Sequence, residues 1–257
     1  SMQTKLIKNF FHDGFVVVRN LLDKKQIEEI LTEAEIIKSN LEKKNVNRKS
    51  YTYKMYHKTG DNKFNTIHGI HKFHYRGAVK KTANNQKLKK IVKSLLNGNF
   101  YCRNIEFFFK PGKTGMPSPF HQDNFFWCLN AARGLNCWIA LSNASKKNGG
   151  LCYLKSSHKV GLINHTYSTA KGTSQKIPDQ LFNYLKFKKI FPKLKAGDCL
   201  LHHPEVIHGS YSNTSKNPRI GFVLGFVNKK ETTNQYNLNR YKNNLNKSLK
   251  KVYPGHN

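Results

Sequence analysis

The chain has 257 residues, with 45 Lys and Arg against 14 Asp and Glu, a formal net charge of +31. A chain of this length buries about three-quarters of its unfolded surface, enough for one sizeable core. No apolar run is long enough for a membrane-spanning helix, and the opening Ser1-Met2-Gln3-Thr4 lacks the cationic-then-apolar order of a secretory signal.

The positive charge has two readings. A basic surface attracts nucleic acid, anionic lipid or a polyanionic substrate. Here the lysines are spread along the chain among many asparagines, with no single basic stripe. That pattern fits solvated faces and A/T-rich codon use, so nucleic acid is not the expected partner. Cys102, Cys128, Cys137, Cys152 and Cys199 sit in apolar runs without Cys-x-x-Cys spacing. They are expected as reduced core residues of a cytoplasmic protein.

Along the chain, Phe15–Val18 reads as a short apolar strand. Asp23 caps a helix over 24–41, with Ile27, Ile30, Leu31, Ala34, Ile37 and Leu41 at helical spacing. From 42 to 69 the chain is polar and aromatic, with Tyr51, Tyr53 and Tyr56, and is expected as a long excursion contributing to a lid. Lys87–Leu96 reads as a basic amphipathic helix stopped by Asn97-Gly98. From Tyr101 the pattern turns to β. Tyr101–Lys110 is followed by a Pro-Gly turn, a strand through 121–123, and two strands, Leu135–Leu141 and Leu151–Leu154. The last two are expected as a pair joined at Asn148-Gly149-Gly150.

Residues 164–176 read as a loop, 179–187 as a helix, 191–194 and 199–202 as strands, and Arg219–Val227 as the closing strand. The basic polar tail, 229–257, reads as a surface helix or a disordered segment. No repeat or Gly/Ser/Pro linker divides the sequence, so 1–257 is expected as one domain with its core over about 8–228. The fold class is mainly β with flanking helices: a double-stranded β-helix, the jelly-roll or cupin-like barrel.

The triplet His121-Gln122-Asp123 carries the most chemistry. Residues two apart in a strand share a face, so an imidazole and a carboxylate can point inward together. His208 adds a second imidazole from a distant strand. Two histidines and one carboxylate leave three positions open on a ferrous ion for a chelating co-substrate and O2. A set without cysteine argues against structural zinc. Arg219, eleven residues after His208, can grip a carboxylate through two parallel hydrogen bonds. The pattern predicts non-haem iron chemistry with 2-oxoglutarate as co-substrate.

A lone His-x-Asp is a weak signal; its weight comes from an ordered context. Pro117-Ser118-Pro119-Phe120 leads into it, followed by the strand ending Trp138-Ile139-Ala140-Leu141, the Asn148-Gly149-Gly150 turn, and Ser156-Ser157-His158-Lys159. His208-Gly209-Ser210 and Asn213-Thr214-Ser215 come later, and Phe11-His12-Asp13-Gly14-Phe15 opens the chain. Over about residues 8–228 this order resembles the phytanoyl-CoA dioxygenase family of iron(II)/2-oxoglutarate oxygenases, with Ser156 where the family has Gly. The resemblance implies that His121, Asp123 and His208 hold Fe(II). It further implies that Arg219 and Ser210 bind the distal carboxylate of 2-oxoglutarate and that Trp138 lies beside it. Asp123 favours hydroxylation, since halogenating relatives carry Ala or Gly at that position.

For substrate, strand position nominates Tyr101, Arg103, Phe108, Gln122 and Asn124, although alternation turns Gln122 and Asn124 away from the metal unless the strand ends there. Phe125-Phe126-Trp127 reads as core packing ahead of a hydrophobic pocket lining. His202 and His203, before Pro204, read as structural. The expected activity is hydroxylation of a small, anionic metabolite: an acyl-CoA, amino acid, aminophosphonate or natural-product scaffold. Two rivals remain. A nucleic-acid dealkylase of the same class would carry a second arginine on the closing strand, and 220–227 has none. A non-enzymatic polyanion binder would show salt-sensitive DNA binding without iron dependence.

Overall fold

Capping and apolar spacing set the first elements. In the computed structural model, which describes residues 1–43 and 56–254, the chain opens with α1 (Met2–Asp13), capped by Ser1 and ended by Gly14 at φ 86°. The sequence reading did not anticipate this helix. Strand β1 (Phe15–Val18) leads to α2 (Lys24–Lys43), which buries Ile27, Ile30, Ala34, Ile37 and Leu41. Asp23 and Gln26 form a reciprocal cap, each side chain accepting from the other's amide. Tyr51 and Tyr53 lie outside the described residues. The rest of that excursion contains paired strands, β2 (Tyr56–Lys58) and β3 (Phe64–Ile67). Two helices follow, α3 (Gly77–Ala83) and the amphipathic α4 (Gln86–Leu96).

The β region runs β4 (Phe100–Lys110), β5 (Ser118–His121), the single turn α5 (Asn124–Trp127), β6 (Gly134–Ala140) and β7 (Leu151–Leu154). It continues with β8 (Thr166–Tyr167), β9 (Gln175–Lys176), α6 (Asp179–Tyr184), β10 (Lys189–Ile190), β11 (Cys199–His202), β12 (His208–Ser210) and β13 (Arg219–Asn228). A final helix, α7 (Gln235–Val252), is capped by Asn234.

Seven strands form one sheet in the order β1-β11-β6-β13-β4-β3-β2, and four form a second, β10-β7-β12-β5. Alternation along β4 and β13 sorts their side chains between two layers. Ile105, Phe107, Phe109, Phe222 and Leu224 join the helical residues Ile30, Ile37 and Leu88 in an outer core. Trp138, Val223 and Phe108 instead meet Tyr153, Leu151 and Phe15 between the sheets. This is the jelly-roll expected, and its inter-sheet layer is where polar side chains gather. Among the described residues, no helix is long and apolar enough to cross a membrane.

Three expectations change. Strands β6 and β7 are not a pair: β6 lies between β11 and β13, whereas β7 lies between β10 and β12. Turn residues report where a chain reverses, not which sheet it enters next. Residues 164–176 are not wholly loop, because β8 and β9 pair. Residues 191–194 are not a strand; β10 precedes them, and Leu194 makes only an isolated bridge to Ala144. The tail is helical as far as Val252, and it is anchored: Ser248 Oγ donates to the Ser168 carbonyl at 2.6 Å.

Candidate metal and co-substrate site

Neighbouring antiparallel strands β5 and β12 set His121 and His208 directly opposite each other, with ring centroids 4.4 Å apart. Strand β5 ends at His121. Asp123 stands at the start of α5 with φ −58° and ψ −33°. A strand-to-helix turn, and not the two-residue alternation of a strand, therefore returns its carboxylate to the imidazoles. Asp123 Oδ1 lies 3.4 Å from Nε2 of His121 and 3.4 Å from Nε2 of His208. One ligand atom from each of the three lies within 4.8 Å of the others. Three mutually cis donors, each about 2.2 Å from a common centre, would stand about 3.1 Å apart, so the spacing suits one small cation.

The backing of these groups fixes which atoms face inward. Nδ1 of His121 donates to the Pro119 carbonyl (2.7 Å) and Nδ1 of His208 to the Val206 carbonyl (3.0 Å), leaving each Nε2 as a lone-pair donor. Burial, with the His202 and His121 charges adding to it, lowers the His208 pKa to about 3 against the pull of Asp123; the imidazole is neutral at physiological pH. Burial pushes the Asp123 carboxyl up, but His208, His202 and the hydrogen bonds to it prevail and hold it well below the usual range. A buried anion beside the neutral His208 imidazole fits a divalent iron.

His202 is not merely structural. Its Nε2 donates to Asp123 Oδ2 at 2.7 Å, and its Nδ1 takes the fully buried Tyr153 hydroxyl at 2.7 Å. Asn136 Nδ2 also donates to Oδ2, at 3.1 Å. His202 and Asn136 are positioning residues for the carboxylate. Replacing His202 with leucine is expected to weaken metal binding about 10–100-fold, read by chelator competition. Sequence reasoning had no signal for this contact, because the pairing of β11 with β6 is invisible in the chain order.

Beside the triad, Arg219 is 3 % exposed. Its Nη1 donates to the Gly149 carbonyl at 3.0 Å, its guanidinium lies 5.2 Å from the Trp138 ring centroid, and its Nε has no partner. Burial lowers its pKa to about 9. Lys110, which the sequence reading did not single out, shares this recess. Its Nζ donates to Ser210 Oγ (2.5 Å), to the Gly149 carbonyl (3.3 Å) and to the Tyr211 carbonyl. The missed signal is its phase: Lys110 falls on the same side of β4 as Phe108, and a charged residue in an inward phase is seldom idle.

Together the Arg219 guanidinium with its unpartnered Nε–H, the Lys110 amine and the Ser210 hydroxyl suit a carboxylate ligand. Burial first, and the Arg219 charge second, drag the Lys110 pKa to about 5, against about 10.5 for an exposed lysine. Between those values the fold bears the cost of discharging or burying the amine, so its stability increases with pH across that window. An entering dianion raises the Lys110 pKa again. Binding of 2-oxoglutarate near neutral pH is therefore expected to take up about one proton. Calorimetry in buffers of different ionisation enthalpy measures the uptake, and Lys110→Met should abolish it.

A family model described as Phytanoyl-CoA dioxygenase (PhyH) matches residues 10–221. The chain belongs to the phytanoyl-CoA dioxygenase family. It is 26% identical over 175 residues to phytanoyl-CoA dioxygenase domain-containing protein 1 of Danio rerio, covering 64% of this chain and 57% of that one. To the phytanoyl-CoA dioxygenase of Arabidopsis thaliana it is 32% identical over 120 residues, 47% of this chain and 41% of that one. The chain thus spans about half the length of these curated relatives. The crystal structure of EctD from S. alaskensis with 2-oxoglutarate and 5-hydroxyectoine has a similar fold, with a TM-score of 0.70 at 18% identity, covering 87% of this chain and 75% of that one.

Within this family member the residues nominated for substrate divide. Gln122 is fully buried and spent on the fold, donating to the Gly161 and Glu205 carbonyls and accepting from the Ile163 amide. Asn124 is likewise engaged, by Leu129 and Glu205. Both act as scaffold, because the chain has left the strand by then. Tyr101 sits at the outer end of β4, 47 % exposed. Phe108 faces the inter-sheet layer, its ring 6.0 Å from His68. Arg103 stacks over Trp127, its guanidinium 5.0 Å from the ring centroid. Of the aromatic run, Phe125 is core, stacked on His165, while Phe126 stands edge-on to His121 and against Tyr241 of α7. The C-terminal helix therefore packs against the metal-side rim.

Proposed function

We propose that the chain is an Fe(II)/2-oxoglutarate-dependent dioxygenase that hydroxylates a C–H bond of a small molecule. The observation that carries this reading is the convergence of His121, Asp123 and His208 ligand atoms within 4.8 Å, beside an arginine whose buried Nε has no partner. His121 and His208 offer Nε2 to the metal and Asp123 offers Oδ1. Arg219, Lys110 and Ser210 bind and orient the distal carboxylate of 2-oxoglutarate, with Trp138 as the wall behind the guanidinium. When bound, iron with 2-oxoglutarate and O2 supplies the oxidation, in which the keto acid becomes succinate and CO2 and one oxygen atom enters the substrate. The chain excludes water through the packed layer of Phe108, Val223 and Trp138 and holds Asp123 ionised through His202 and Asn136.

The test is succinate release with Fe(II), 2-oxoglutarate, O2 and ascorbate over a broad substrate panel. Iron-dependent succinate absent from a His121→Ala control is the expected result. Succinate no higher than in that control, across the panel, removes the proposal.

A further inference from the structure

Strands β5 and β12 have a second side. His121 and His208 point to the metal, so alternation puts Phe120 and Gly209, one residue away on each strand, on the outer face of the four-stranded sheet. A Cβ on Gly209 would sit 3.1 Å from the Phe120 ring, which places both on one side. On β10, Ile190 packs between the sheets and turns its neighbour Lys189 outward. Four rings gather on this outer face. Phe182 of α6 lies 4.8 Å from Phe120, Phe120 lies 6.1 Å from Tyr211, and Tyr211 lies 6.0 Å from Phe191, centroid to centroid. Tyr211 is 42 % exposed, and the three phenylalanines are half-buried.

Lysines stand over these rings. Lys189 Nζ is 5.9 Å from the Phe120 centroid and 5.7 Å from those of Phe182 and Tyr211, and it donates to the Tyr211 hydroxyl at 3.0 Å. Lys146 Nζ is 4.8 Å from the Phe191 centroid. Both lysines are exposed. Nearby, Lys155 pairs with Asp13 and Lys176 with Asp179, but among the described residues Lys146 and Lys189 have no carboxylate within 4.0 Å. Lysines are spread along the whole chain; acids are not. Residues 124–197 hold eleven lysines and Arg133 against the single Asp179, and Asp179 already lies 3.5 Å from Lys176.

We infer that the outer face of the four-stranded sheet binds single-stranded nucleic acid, with unpaired bases stacking on Tyr211 and Phe191 and phosphates meeting Lys189 and Lys146. Aromatic rings beside lysines that lack acid partners supply both contacts an unpaired strand needs, whereas a duplex hides the faces of its bases. An anionic membrane fits less well. Insertion uses protruding Phe, Leu or Trp side chains, and the large exposed side chains here are Tyr211 and, on α6, Tyr184 at 81 %. The bound strand is a docking partner and not a substrate, because the sheet stands between it and the metal: Phe120 and His121 are consecutive and face opposite sides. The inference is independent of the oxygenase reading.

The test follows the fluorescence anisotropy of a labelled oligothymidine of about 15 nucleotides with the whole wild-type chain in about 0.1 M salt. A duplex of the same length is titrated in parallel, as are phosphatidylcholine vesicles containing about 30 % phosphatidylserine. Binding of the single strand should saturate, weaken as salt rises, and exceed that of the duplex about fivefold or more. Tyr211→Ala and Phe191→Leu should each weaken it about fivefold or more; the second keeps apolar bulk and removes only the ring. Lys146→Gln combined with Lys189→Gln should lower the slope of log affinity against log salt by about 1.4, roughly 0.7 for each phosphate contact. Lys87→Gln combined with Lys90→Gln makes the same charge change on exposed positions of α4 and should leave the slope as it was. Melting curves check folding, and the exposed lysine pairs decide the matter if either ring variant fails to fold. The inference falls if the single strand shows no saturable binding, or if the duplex binds as tightly. It falls equally if vesicles bind and the single strand does not, or if the α4 pair lowers the slope as much as the pair on the sheet.

Discussion

Asp123→Ala is expected to abolish iron-dependent succinate release and to weaken metal binding by at least about 100-fold. The substitution removes the one anionic donor of the set. It also leaves the Nε2–H of His202 and the Nδ2–H of Asn136 buried without an acceptor, at about 1–3 kcal/mol each. Two losses are therefore expected together: bound iron, measured by metal analysis after desalting, and melting temperature of the metal-free protein. Asp123→Asn separates them, since it keeps an acceptor oxygen while removing the charge. Asparagine should recover much of the stability and little of the iron. Full activity in either variant would show that the carboxylate is not a ligand.

Arg219→Met is expected to raise the KM for 2-oxoglutarate about 10²–10⁴-fold, because hydrogen bonds between charged groups are worth about 1.5–3 kcal/mol each and a guanidinium can make two. The effect on stability has the opposite sign. The ligand-free protein carries a guanidinium 3 % exposed, with an unpartnered Nε and a pKa lowered to about 9, beside a second buried amine. Removing this uncompensated buried charge should leave the ligand-free melting temperature unchanged or higher. Arg219→Lys tests the geometry: it restores charge without the planar fork, so KM should recover only in part. A structural arginine would instead lose stability on removal and leave KM unmoved.

What the sequence made legible follows from range. Helix α2 was readable because its five buried residues repeat at helical spacing and its cap is local. Strand β11 was readable from the apolar run Cys199–Leu201 ahead of His202, all four residues buried. Helix α1 was missed because its twelve residues bury only Phe10. At the site, the ordered motif drew attention to His121, Asp123, His208 and Arg219. Lys110 and His202 were not read as part of it, since each owes its place to a strand neighbour over 60 residues away in the chain: Lys110 beside Arg219 and His202 beside Asn136. The Asn124 and Gln122 readings depended on where a strand stops, and one residue decided them.

The relay behind Asp123 bears on denticity. One oxygen of the carboxylate is held by His202, itself steadied by Tyr153, and by Asn136; only Oδ1 is free to ligate. A carboxylate so restrained would offer a bound metal one oxygen and not two. Iron held this way would keep room for a keto acid and O2, and Tyr153 contributes to that restraint through His202.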